Sequence, residues 1–181
     1  MLKKLDSISS ETVHTNPYWE YRTDNYYLPS DTIAEYYYVH TPGSTIVVPR
    51  CDDGTFLLVR QYRYLLHNES IEFPCGGLQK ELSPEENARL ELRQEAGCIA
   101  NTLQLIGKFA PCKGLTDEIC SVYFAGELTF VAPEPEATEE FEILSLTSNQ
   151  INNLIQKGKI WDGMTLAAWT LYQQSEFALK H

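Results

Sequence analysis

The fold is decided by residues 72–97, which read EFPCGGLQKELSPEENARLELRQEAG. Within this stretch Ser83, Pro84 and Glu86 have the pattern of a helix start, because a serine N-cap is followed by proline at the first helical position and by a glutamate that closes a capping box. Gly97 is the expected end of the helix, since glycine adopts the left-handed conformation common at that point. The segment therefore predicts a glycine turn followed by one helix.

Strand-like stretches lie on both sides of this segment. Residues 19–48 are rich in Tyr, Thr, Ile and Val, with a turn at 28–31, and residues 45–49 and 56–61 are predicted to form a hairpin around a central Asp-Asp-Gly. Strands are also expected at 70–73, 103–109 and 119–127, helices at 150–157 and 164–172, and a solvated Pro/Glu-rich loop at 132–140. Without regular alternation of strands and helices, this order predicts an α/β (α+β) fold with a mixed sheet packed between helices.

Composition restricts the classes of protein to which the chain can belong. Its 181 residues are enough for one domain with a sizeable core. The formal net charge of −11 repels nucleic acid, so we expect no nucleic-acid partner, and a phosphorylated ligand would need a local arginine or a divalent cation. No apolar run approaches the ~20 residues of a membrane span. The five cysteines contain no C-x-x-C pair, which argues against a zinc site or a disulfide framework and favours a cytoplasmic location.

Two glutamates of the predicted helix have the spacing of a metal site. Glu91 and Glu95 are four residues apart, so their carboxylates lie on one helical face. Carboxylate oxygens are suitable ligands for a hard divalent cation such as Mg²⁺. Taken alone, the same spacing is also typical of a solvated helix face.

The stretch from Gly76 to Gly97 resembles the Nudix box, G-x5-E-x7-R-E-U-x-E-E-x-G-U, where U is an apolar residue. The alignment needs no gap and keeps both of these glutamates as well as the first and last glycines. It departs from the pattern at three positions, where Leu82 replaces the first glutamate, Leu90 the arginine, and Gln94 the first member of the glutamate pair.

The resemblance implies a metal site. It implies Mg²⁺, or alternatively Mn²⁺, held by Glu91, Glu95 and the backbone carbonyl of Cys75, the residue before the first glycine. In the family the box arginine holds the glutamates and the loop in place, a role that Leu90 cannot take. The amide of Gln94 is a weaker Mg²⁺ ligand than a carboxylate.

Sequence outside the box is similar to the ADP-ribose pyrophosphatases of this family. VRQYR at 59–63 matches the strand whose last arginine binds the diphosphate; the planar fork of Arg63 suits phosphate oxygens, with a surface salt bridge as the alternative. Glu72 matches the strand that leads into the box, where it is expected to orient ligands or to contact the metal shell. Residues 110–118 match the loop that ends in the candidate general base, here Glu118, although a solvated turn has the same appearance.

The N-terminal part also resembles that subgroup, in which N-terminal strands exchange across a homodimer and present aromatic side chains to adenine. Trp19, Tyr36 and Tyr37 are the candidates here, and packing of the tyrosines into a core is an equal alternative. The resemblance divides the chain into an N-terminal β extension for dimerisation at 1–44 and a Nudix domain, an α/β/α sandwich, at 45–181.

Two functions are consistent with these residues. The first is Mg²⁺-dependent hydrolysis of the pyrophosphate bond in ADP-ribose or a related nucleoside diphosphate sugar, with Glu91 and Glu118 as the catalytic carboxylates. The second is a nucleotide-binding or regulatory module with weak or no catalysis, because the box lacks its usual residues at three positions.

Overall fold

The computed structural model describes residues 4–133 and 140–179, so most of the Pro/Glu-rich stretch predicted to be a loop lies outside the described residues. Within them the chain forms three sheets and four α-helices. The strands are β1 (Ser7–Thr15), β2 (Glu20–Tyr27), β3 (Ile33–His40), β4 (Ser44–Pro49), β5 (Phe56–Arg63), β6 (Asn68–Glu72), β7 (Cys75–Gly77), β8 (Cys98–Phe109), β9 (Cys120–Phe130) and β10 (Glu142–Leu146), and the helices are α1 (Pro84–Ala96), α2 (Ser148–Gln156), α3 (Gly163–Gln173) and α4 (Glu176–Leu179).

The body of the protein is a sheet between helices. Its central sheet has the order β7-β4-β9-β8 and is mixed, since β4 runs parallel to β9 and antiparallel to β7. All six residues of β4 are buried. Ile46 and Val48 pack into a cluster with α2 and α3, whereas Val47 packs against α1 through Ala88 and Leu92. Helices therefore cover both faces, and the predicted α/β/α sandwich is confirmed.

Helix α1 begins and ends where the sequence predicts. The Ser83 hydroxyl accepts a hydrogen bond from the Glu86 amide, and the Glu86 carboxylate accepts one from the Ser83 amide, which completes the capping box. Gly97 ends the helix with a φ of +60°. A Cβ at Gly97 would lie 2.8 Å from the Val131 carbonyl oxygen, so both conformation and space require glycine there.

The N-terminal strands β1, β2 and β3 form a separate antiparallel sheet. Every residue of β1 is exposed. The sheet is joined to the body at the end of β3, where the Val39 amide donates to the Leu115 carbonyl at 2.9 Å and Val39 makes a bridge with Thr116. The division of the chain at residue 44 stays a prediction.

The predicted hairpin between β4 and β5 is wrong. The two strands belong to different sheets and share only an isolated bridge between Arg50 and Phe56. β4 pairs instead with β9 along its whole length and with β7 at residues 44–46. Strands β1, β7 and β10 were not predicted as such. Among the described residues, no helix is long and apolar enough to cross a membrane.

Candidate active site

The two box glutamates are buried on the inner face of α1. Glu91 is 9% exposed and Glu95 is 4% exposed, so the interpretation of a solvated helix face is wrong for this pair. One oxygen of Glu95, Oε2, accepts a hydrogen bond from the Cys75 amide at 2.9 Å. Burying a carboxylate costs free energy unless the group is hydrogen-bonded or binds a cation. The burial of Glu91 and Glu95 therefore indicates a functional site.

Gly76 allows Glu91 to lie directly against the loop. A Cβ placed on Gly76 would be 2.2 Å from Glu91 Oε1 and 2.5 Å from Oε2, so the carboxylate occupies the space that any larger residue would need. The first glycine of the box is therefore required for close approach rather than for a special backbone angle. The glycine turn and the helix carboxylates thus form one compact unit.

Asn87 is a site residue to which the sequence analysis gave no role. It is fully buried one turn before Glu91, and its side chain bonds to the Gln79 amide, to Thr45 and to Glu91. The spacing of four residues to Glu91 is the one sequence signal that could have indicated it. Its partners on β4 and in the loop become neighbours only in the folded chain.

Arg63 and Glu72, both predicted substrate-site residues, form an ion pair across β5 and β6. Nε of Arg63 donates to Glu72 Oε1 at 2.9 Å, and Nη2 donates to Oε2. The Glu72 side chain is 5% exposed and that of Arg63 is 43% exposed, so a buried carboxylate holds a guanidinium that reaches solvent. The pKa of Arg63 is raised, chiefly by the hydrogen bonds that its guanidinium donates to Glu72, so the side chain stays positively charged. Among the described residues no group hydrogen-bonds to Nη1 of Arg63, so this nitrogen is available to an anionic ligand.

Glu118 lies beside the start of β4. The Ser44 hydroxyl donates to Glu118 Oε1 at 2.5 Å, and Ser44 pairs with Gly77 across the sheet. This brings Glu118 to the same end of the sheet as the glycine turn. Its carboxylate is half-buried and held by a hydroxyl, unlike one on a freely solvated turn.

The loop that carries Glu118 is bonded to His40, the last residue of β3, and to Thr41, which follows it. His40 Nδ1 lies 2.6 Å from Asp117 Oδ2, and the Thr41 amide donates to Asp117 Oδ1 at 3.1 Å. Asp117 therefore has both carboxylate oxygens engaged next to the candidate base. Because Asp117 precedes Glu118, these contacts with His40 and Thr41 hold the backbone next to the candidate base in place.

Two thiols near the site are held in the neutral form. Burial raises the pKa of the Cys75 thiol well above its ordinary value, and the nearby Cys120, Glu95 and Asp162 raise it further. Burial also raises the pKa of Cys120 to about 11. At neutral pH neither sulfur is an anionic ligand, so the backbone carbonyl of Cys75 stays the predicted donor at that position.

The oxygen groups of the site fit a divalent cation of the magnesium type. Mg²⁺ is usually bound by one or two carboxylates, with waters and substrate phosphates completing its shell. Glu91 and Glu95 provide two buried carboxylates, and the space that a Cβ of Gly76 would fill is taken by one of them. Residues 4–133 and 140–179 contain no group of three or more His, Cys, Asp or Glu side chains arranged to hold a metal. Two carboxylates fit a cation whose other positions are filled by water and by a phosphorylated ligand.

The aromatic candidates belong to the N-terminal part of the chain: Tyr36 and Tyr37 lie on β3, and Trp19 lies in the turn between β1 and β2. The ring of Trp19 is 6.0 Å from that of His14, and Tyr37 stacks on Tyr21 at 6.5 Å while donating to Glu35. Trp19, Tyr36 and Tyr37 are all exposed and belong to neither core cluster, so packing into the core of this chain is not their role. The described contacts of Trp19 and Tyr37 do not join them to the carboxylates of α1.

Comparisons with known proteins match most of the chain. The family model described as NUDIX domain matches residues 39–166. An ADP-ribose pyrophosphatase of Bacillus subtilis is 28% identical over 179 residues, 97% of each chain, and one of Mycobacterium tuberculosis is 34% identical over 137 residues, 75% of this chain and 66% of that protein. A methanol dehydrogenase activator of Bacillus methanolicus is 28% identical over 177 residues, 97% of this chain and 95% of that protein. The crystal structure of an ADP compounds hydrolase has the same fold, with a TM-score of 0.85 at 18% identity over 99% of this chain and 98% of that one.

Proposed function

The chain belongs to the Nudix hydrolase family, and from that premise we propose that it hydrolyses the pyrophosphate bond of ADP-ribose or a related nucleoside diphosphate sugar with Mg²⁺ or Mn²⁺. Water adds to one phosphorus, the bridging P–O bond breaks, and a nucleoside monophosphate and a sugar phosphate leave. The observation that carries the proposal is the pair of buried carboxylates, Glu91 and Glu95, held against the glycine turn.

Each site residue has a distinct part in the proposed reaction. Glu91, Glu95 and the Cys75 carbonyl would hold the cation, which when bound neutralises charge on the phosphoryl oxygens and lowers the pKa of water. The exposed edge of Arg63 binds a phosphate oxygen, oriented by its bonds to Glu72. Glu118 accepts a proton from the attacking water through the carboxylate oxygen that Ser44 leaves open.

The proposal is tested by incubating the purified protein with ADP-ribose and a panel of nucleoside diphosphate sugars, with Mg²⁺, with Mn²⁺ and with EDTA. We expect a monophosphate product from at least one substrate, and none with EDTA. If every compound stays intact with both metals while the protein still binds one of them, the nucleotide-binding alternative is correct.

We also propose that Trp19 contributes to binding of the base. Replacing Trp19 by alanine is expected to weaken ADP-ribose binding by about 1–3 kcal/mol, the usual contribution of a base stacked on an aromatic ring. The melting temperature should change little, since Trp19 is 39% exposed and, within the described residues, the only ring that its own ring contacts is that of His14. Calorimetric titration in metal-free buffer measures the affinity, and Tyr18→Ala, at an 81% exposed neighbour, is the control. Parallel losses of affinity and melting temperature would favour a packing role.

A homodimer is the assembly that we propose. The N-terminal sheet exposes an open edge at β1 and the side chains of Val13, Ile33 and Tyr37, which are 53–61% exposed, and a second copy would cover such a surface. We expect light scattering at micromolar concentration to give twice the mass of the chain. Ile33→Asp should shift the equilibrium towards the monomer, whereas Ile99→Asp on β8 should not. A monomeric wild type contradicts the proposal.

A further inference from the structure

The box of this chain lacks the residue that holds its parts together. In the family pattern an arginine at position 90 fixes the metal-binding glutamates and the loop, and here Leu90 offers no hydrogen bond. Nevertheless Glu91 lies against Gly76, and Glu95 is bonded to the Cys75 amide. Any side chain that holds the loop and Glu91 together by contacting both therefore lies outside position 90.

Asn87 makes the required contacts. Its Oδ1 accepts from the Gln79 amide at 3.1 Å, and its Nδ2 donates to Thr45 Oγ1 at 2.9 Å and to Glu91 Oε1 at the longer distance of 3.5 Å. The orientation of the amide follows from its neighbours, because a backbone N–H can only donate and a carboxylate can only accept. One side chain thus joins the loop, the central strand and the metal face.

The chemistry of asparagine at this position calls for an explanation. Asparagine is a poor helix former, and burying its amide is unfavourable unless its groups are bonded. Asn87 is nevertheless fully buried within α1, and both ends of its amide have partners. A buried amide with satisfied bonds adopts one conformation and restrains the groups that it bonds. Because the amide is neutral, it can orient Glu91 without cancelling the negative charge that attracts a cation.

We propose that Asn87 is the positioning residue that replaces the missing box arginine, so that the metal-binding face of α1 forms without a residue of that kind at position 90. The proposal rests on the proposed function, since it assumes that this face binds a divalent cation. It assigns Asn87 no contact with the substrate. It also explains how a box with leucine at position 90 keeps its first glutamate against the glycine turn.

The test measures two properties that do not depend on turnover. The first is the affinity for Mn²⁺ without substrate, from the electron paramagnetic resonance signal of free Mn²⁺; the second is hydrogen exchange at the Gln79 amide in the metal-free protein. For Asn87→Ala we expect Mn²⁺ affinity to fall about 10- to 100-fold, as when a group that orients a metal ligand is lost. Exchange at Gln79 should become faster, because its amide loses its acceptor.

The matched control is Asn152→Ala on α2, where another asparagine amide accepts a hydrogen bond, from Trp169 Nε1 at 2.8 Å, outside the site. Both measurements should be unchanged in that variant. Thr45→Val is a milder change of similar shape that removes one partner of Asn87, and it should weaken Mn²⁺ binding in the same direction. If Asn87→Ala does not fold, Thr45→Val takes its place in both measurements.

A rescue experiment separates positioning from general stability. Leu90→Arg should restore Mn²⁺ affinity in the Asn87→Ala background and change it little in the wild type. The proposal is overturned if Asn87→Ala binds Mn²⁺ as the wild type does, or if Gln79 exchanges at the same rate in both. A wild type that binds Mn²⁺ and hydrolyses nothing would instead end the proposed function and leave the role of Asn87 intact.

Discussion

Gly76→Ala is expected to lower the rate of hydrolysis by about 100-fold, the effect of displacing a catalytic group by roughly 1 Å. The added methyl group would meet Glu91 Oε1 at 2.2 Å, and the carboxylate must leave its position. Its new position separates it from the loop and from Asn87. The loss should appear in kcat and as a higher Mg²⁺ requirement, measured by varying the metal at saturating substrate.

The stability of Gly76→Ala should stay close to that of the wild type. The atoms in conflict are the end of a flexible side chain, which can rotate, and Gly76 has no positive φ that would strain alanine. Gly77→Ala is the matched control, because a Cβ at Gly77 meets nothing within 4 Å. Equal activity of the two variants would mean that Glu91 does not work from its present position.

Local signals explain why α1 was predictable from sequence. Its start depends on residues within one turn of each other, Ser83 and Glu86, and its end on a single glycine at position 97. The pairing of Glu91 with Glu95 follows from the helical period alone. These features need no knowledge of the rest of the chain.

Pairing of strands depended on distant residues and was predicted less well. The Asp-Asp-Gly turn after β4 is a local hairpin signal, yet β4 pairs with β9, 76 residues later in the chain, because that pairing lets it become the buried centre of the sheet. Two of the three residues of β7 are glycines, which are disfavoured in strands, so its sequence does not predict a strand. β1 is mostly polar and exposed throughout, and its two large apolar residues, Ile8 and Val13, are too far apart to give the alternation of a half-buried strand.

The same limit applies to the site. Glu91, Glu95 and Cys75 were predicted as site residues from the box, and Arg63, Glu72 and Glu118 from sequence around it; their roles stay predictions. Asn87 was not, because its significance lies in contacts with Thr45 and Gln79, one of them 42 residues away in sequence. The ion pair of Arg63 with Glu72 likewise required the register of β5 with β6.

Glu95→Gln is the second change expected to have a large effect, a fall in turnover of about 100-fold, the upper range for losing a group that supports a metal. It removes one of the two carboxylates on a face where Gln94 already provides an amide instead of an anion. The neutral amide can keep its bond to the Cys75 backbone, so the fold should persist. Glu85→Gln on the same helix is the control, since Glu85 is exposed and pairs with Arg89.

Gln94→Glu should act in the opposite sense and lower the Mg²⁺ concentration needed for half-maximal rate. It adds a third carboxylate to the face of Glu91 and Glu95, and Mg²⁺ affinity rises with the number of anionic ligands. Turnover at saturating metal should increase less, because three carboxylates repel one another until the cation is bound. Both predictions are tested by measuring the rate of hydrolysis against Mg²⁺ concentration for the wild type, Glu95→Gln and Gln94→Glu. If Glu95→Gln keeps the wild-type rate and Gln94→Glu leaves the metal requirement unchanged, the cation binds elsewhere than on α1.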